Sequence, residues 1–289
     1  VSGWEWLLVS AKFVYYTGFV ALAGGLLLAM LAAPVRRQCA RAIWLSVLLG
    51  IPGAILYFLF QVGSFAESGF AGLFDGAVAQ MLWDTSAGAL VKTRVAGLLL
   101  ALPAAFALAK PGRAGLLFVW GLGLCALLIQ AYAFTLTGHL SQETAAAKWT
   151  LAIHVLAAGF WIGALPLLLW LVVKSPQAVV ARAMQQFGRA IGMPVVLLLV
   201  CGVYLLLRLG GDLPVTLVSV WGALLLGKLL LVGGLLSIAI LNRWRLVPAL
   251  NRGRSARPLT VALVIDLALA VGVLVVTGVL STVVGPPGH

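Results

Sequence analysis

Long apolar runs alternate along the chain with short polar or basic connections, and this alternation predicts the elements. The runs are Trp6–Ala33, Ile43–Phe65, Ala87–Ala109, Ala114–Thr137, Trp149–Val173, Met184–Leu209, Thr216–Leu241 and Leu259–Val283. Each reaches the roughly 20 residues a helix needs to cross the hydrocarbon core. A backbone in lipid must satisfy its own hydrogen bonds, so runs of this length predict helices. The expected fold is therefore an all-α polytopic membrane protein with eight transmembrane helices and no separate extramembrane domain. Pro34, Pro111, Pro176 and Pro258 punctuate run ends, whereas Pro52, Pro103, Pro166 and Pro194 are expected to kink spans.

Composition agrees with the pattern: 63% of the 289 residues are hydrophobic and 9% are charged. A net charge of +12 would point to nucleic acid in a water-soluble chain. Here the basic residues sit in loops: Arg36, Arg37 and Arg41; Lys110 and Arg113; Lys174, Arg182 and Arg189; and Arg243 through Arg257. All fall on one side, which the positive-inside rule assigns to the cytoplasm. That excludes nucleic acid as a partner and leaves membrane lipid. Glu5, Glu67, Asp75, Asp84, Glu143 and Asp212 fall on the other side, and both termini are expected there, in the periplasm. The three cysteines have no CxxC spacing, so a disulfide framework is not expected. No P-loop, Ser-His-Asp constellation or HExxH occurs, and no enzymatic activity is expected.

A weak internal repeat divides the chain into 1–142 and 143–289, four spans each, with the same topology. Leu136 to Ser141 (LTGHLS) reads against Val276 to Ser281 (VTGVLS). Gly88-Ala-Leu with Arg94 reads against Gly222-Ala-Leu with Lys228, and Tyr15 with Gly24 against His154 with Gly163.

The chain has three histidines, and two flank the junction of these halves. His139 lies where the fourth run ends and His154 about one turn inside the fifth. Two imidazoles joined by a short hairpin form a candidate metal or haem site. Glu143 is a weaker candidate oxygen ligand, and the terminal His289 another weak one. Cys125, Cys201 and Met193 offer a weak soft-ligand path for Cu(I) across the membrane. Among the intramembrane charges, Lys228 and Asp266 are expected to pair, and Arg94 to snorkel outward.

Gly138-His139, the stretch from His154 to Leu167 (HVLAAGFWIGALPL), Phe187 to Ala190 (FGRA), Trp221 to Lys228 (WGALLLGK) and Leu241 to Leu250 (LNRWRLVPAL) resemble the copper resistance protein D (CopD) family of bacterial inner-membrane proteins. The resemblance is strongest from Gly138 to Leu250. It implies a multi-pass protein of the cytoplasmic membrane that moves copper ions, Cu(I) or Cu(II), inward, often alongside a periplasmic copper-binding protein. Alternatives from the residues alone are a membrane b-type cytochrome with His-ligated haem, and a membrane protein that binds copper without transporting it.

Overall fold

The computed structural model describes residues 2–109, 116–210 and 218–285; the side chains of residues 116–119, 139 and 140 also lie outside the described part. Helices α1 (Gly3–Leu31), α2 (Arg36–Ala66), α3 (Gly76–Trp83), α4 (Ser86–Leu100), α5 (Leu102–Ala109) and α6 (Leu116–Ala133) form the first part of the chain. The second contains α7 (Ala145–Lys174), α8 (Gln177–Ala190), α9 (Gly192–Leu209), α10 (Val220–Leu241), α11 (Val247–Asn251) and α12 (Arg257–Leu280). No strand occurs among the described residues.

Seven helical stretches among these residues are long and apolar enough to cross a membrane. The expected fourth span corresponds to α6, of which the fully described part, Trp120–Ala133, is apolar. The protein is thus an all-α polytopic membrane protein, its outer faces carrying exposed residues such as Leu229, Leu230 and Val200.

Local chemistry explains where the helices start. Ser2 and Glu5 form a reciprocal capping box at α1. Asp75, Thr85, Thr144 and Ser219 accept backbone N–H groups at the starts of α3, α4, α7 and α10. The prolines act in two ways. Pro52 and Pro166 lie inside continuous helices. Pro103 and Pro194 instead fall in the first turns of α5 and α9, just after breaks at Ala101 and Ile191. A proline lacks an N–H and is tolerated in a first turn, where that donor has no helical partner. The expected sixth span, Met184–Leu209, is accordingly split. α9 carries its apolar part, while α8 is amphipathic and buries Val180, Ala183, Met184 and Phe187 along one face.

α1 is the central element, packed against α2 and α7 and, less extensively, α12 and α6. Small residues allow the close approach: a Cβ on Gly18 would lie 2.8 Å from the Gly50 Cα, and one on Gly53 2.6 Å from the Tyr15 nitrogen. Where α1 crosses α7 the backbones touch at Gly24 and Gly163. In the second half α9 packs mainly on α7, and α10 mainly on α12, which itself lies against α7. The arginine-bearing connections of the second half meet at one end of the bundle. There the Gln177 amide donates to the carbonyls of Leu250 and Arg254, both at 2.8 Å, and Arg243 donates to the Gly188 carbonyl at 2.5 Å.

Candidate functional site

His154 projects from α7 toward α9. Its Nδ1 lies 3.0 Å from the Leu198 carbonyl oxygen. A carbonyl can only accept, so Nδ1 carries a proton, and when the ring is neutral its lone pair lies on Nε2. Histidine ligands are commonly oriented by such a second hydrogen bond. Gly202, one turn along α9, leaves space for the ring: a Cβ there would stand 3.3 Å from His154 Cε1. Leu198, Cys201 and Leu205 are the buried residues of α9, the helix that packs on α7, so the thiol of Cys201 belongs to the stripe bordering His154. Lys228 of α10 is close enough for its charge to bear on the ring.

The hairpin before α7 is partly described. Gly138, at φ 83°, turns the chain into a 3-10 turn over His139–Gln142. A positive φ of this kind is readily adopted by glycine. The His139 side chain lies outside the described residues, as does His289. Glu143 does not stand as an open oxygen ligand. Its Oε2 accepts from Arg208 Nη2 at 2.6 Å, tying the entry to α7 to the last turn of α9. An exposed pair of this kind is worth about 0–1 kcal/mol. Glu143→Gln is therefore expected to change thermal stability little, checked by thermal unfolding of the variant beside the wild type.

Two further expectations are corrected. Cys125 is exposed on α6 and Met193 is 67% exposed on α9, whereas Cys201 is buried, so these sulfurs do not line one path. Nor do Lys228 and Asp266 pair: no ion pair joins them, and Asp266 accepts instead from Asn242 Nδ2 at 3.3 Å. The reason is axial. The helix between Lys228 and Asn242 rises about 21 Å at 1.5 Å per residue, and Asp266 sits level with Asn242. Among the described residues no three His, Cys, Asp or Glu side chains gather as a ready metal cluster.

Residues 4–149 match the family model for the copper resistance protein D-like N-terminal domain, and residues 181–280 match that for copper resistance protein D. A copper resistance protein D from Pseudomonas syringae pv. tomato is 32% identical over 214 residues, covering 67% of each chain. The chain belongs to the copper resistance protein D family. No solved structure matches it.

This family member holds a second buried polar cluster, which sequence reasoning missed. Arg94, expected to snorkel, is only 3% exposed, and its guanidinium lies 3.8 Å from the centre of the Tyr15 ring and 5.5 Å from that of Tyr57. Stacking on aromatic faces offsets part of the cost of burying the charge. Gln130, fully buried, accepts from the Tyr15 hydroxyl and donates to the Arg94 carbonyl at 2.7 Å. Lys12 is also buried, donating to the Ser281 carbonyl at 2.8 Å and approaching its hydroxyl at 3.2 Å. The available signal was the presence of Lys12 and Gln130 well inside apolar runs, where polar groups need partners.

Proposed function

We propose that the protein handles copper in the bacterial cytoplasmic membrane, carrying it from periplasm to cytoplasm through an entrance that includes His154. The observation that carries this reading is the orientation of His154: Nδ1 is committed to the Leu198 carbonyl, and Nε2 is left as a donor suited to either copper oxidation state. The Cys201 stripe beside it adds a soft donor suited to Cu(I). Family membership supports copper as the cargo. The loop arginines support an orientation with both termini periplasmic. His139, at the hairpin between α6 and α7, is the second ligand in this reading, and a periplasmic copper-binding protein would deliver the ion.

The same reading includes a 4+4 repeat. In support of it, Tyr15 and Gly24 align with His154 and Gly163, and the two aligned glycines meet at the α1–α7 crossing, as equivalent positions do across a pseudo-twofold axis. Arg94 aligns with Lys228; Arg94 stacks on Tyr15, and Lys228 bears on His154.

Lys228 gives the copper reading a signed prediction. Like unit charges within reach of one another repel by on the order of 1–2 kcal/mol at an effective dielectric of about 20. Copper at His154 is therefore opposed by the ammonium group, and Lys228→Met is expected to tighten copper binding roughly tenfold, read by competition against a chelator of known affinity. Transport itself is tested in proteoliposomes holding a copper-sensitive dye. The wild type is expected to admit copper faster than empty vesicles, and His154→Ala is not. Uptake equal to that of empty vesicles would leave a copper-binding protein and remove the transport reading.

A further inference from the structure

A cavity of about 300 Å³ opens between α7, α8, α9, α10 and α12, toward the arginine-bearing end of the bundle. Its lining includes Asp266 and Asn242, which are only 2% and 7% exposed. Asn242 Nδ2 donates to one carboxylate oxygen of Asp266. That contact leaves Asp266 Oδ1 and Asn242 Oδ1, both buried, with no hydrogen-bond partner among the described residues. Both oxygens are acceptors. A buried acceptor without a donor costs about 1–3 kcal/mol, and more when charged, and two acceptors cannot satisfy one another. What the pair lacks is a donor or a cation.

Asn242 also opens a π turn, Asn242–Leu246, where α10 would otherwise run on into α11. Single π turns inside helices are frequent at functional sites. This one puts the amide at a break in the helix, beside the carboxylate of α12.

We infer that Asp266 and Asn242 form a binding site for a small hard monovalent cation, a proton or Na⁺, reached through this cavity. Oxygen donors suit hard ions, while copper favours the imidazole and thiolate found elsewhere in the chain. The neighbouring charges limit the ion to one positive charge. Arg189 from α8 and Arg243 from the π turn also line the cavity. Arg243 donates to the Gly188 carbonyl, and neither arginine pairs with Asp266. α7, α9 and α10 contribute no ionisable side chain to the lining. A single carboxylate neutralises one positive charge, and the repulsion from the two guanidinium groups grows with the charge of the ion, so a divalent ion would remain uncompensated there. A proton from the water on that side converts the carboxylate into an acid whose O–H can donate. Na⁺ would be held by the two oxygens directly.

The test uses the full chain in lipid nanodiscs. Infrared difference spectra across a pH series kept above about pH 6, where ordinary exposed carboxylates are ionised, are recorded for the wild type, Asp266→Asn and Asn242→Leu. A protonated-carboxyl band that is present in the wild type, absent in Asp266→Asn and shifted in Asn242→Leu establishes the proton. Thermal unfolding is compared in sodium and choline chloride at equal ionic strength. Stabilisation by sodium in the wild type that is lost in both variants establishes Na⁺. If the wild type shows no protonated-carboxyl band at any pH and the same unfolding midpoint in both salts, the inference is overturned. These wild-type readings decide the matter even where a variant fails to fold, and none of them depends on copper.

Discussion

Replacing Gly163 by alanine is expected to destabilise the bundle by about 3 kcal/mol or more, the upper range for forcing extra atoms into a packed core. The new Cβ would lie 1.7 Å from the Val20 carbonyl oxygen, and the neighbouring backbone at Gly24 is equally unable to yield. Backbone on both sides means that no side-chain rotation relieves the clash, so α1 and α7 must separate. Because α1 is the element on which both halves pack, the loss spreads through the core. Gly233→Ala is the control, since a Cβ there meets nothing within 4 Å. Thermal unfolding in detergent checks the pair. A Gly163→Ala midpoint equal to that of Gly233→Ala would contradict the α1–α7 crossing.

The second large effect is on copper. His154→Ala is expected to weaken copper binding by more than about 100-fold, since even partners that merely orient a ligand are worth 10- to 100-fold. The fold should survive. The Leu198 carbonyl lies inside a continuous helix and loses only the imidazole, a change of about 1 kcal/mol for one hydrogen bond. Leu198 and Gly202 matter through the ring they hold. Gly202→Val would press on His154 Cε1 and should mimic the histidine variant in part.

The apolar runs made the helices legible, because a backbone in lipid has few alternatives. Helix faces were harder to read. In a membrane bundle the lipid-facing and core-facing sides are both apolar, so no periodic pattern separates exposed Met193 from buried Cys201 on α9. Arg94 was expected to reach outward because it stands near a span end; the aromatic rings that hold it inward come from α1 and α2, distant in sequence. Asp266 and Lys228 both read as mid-span, and only the continuation of α10 into a π turn and α11 shows that they stand at different depths. His154 was legible as chemistry, but its partner Leu198 was not, since any backbone carbonyl can serve and sequence does not mark which one does.

The central claim is that His154 ligates copper, and the most direct measurement is the copper content and optical spectrum of the purified wild type and His154→Ala after exposure to copper and extensive dialysis. The account predicts copper retained by the wild type, lost by the folded variant, and no Soret band in either. Equal copper in both proteins would contradict it, as would a haem spectrum that disappears with the histidine.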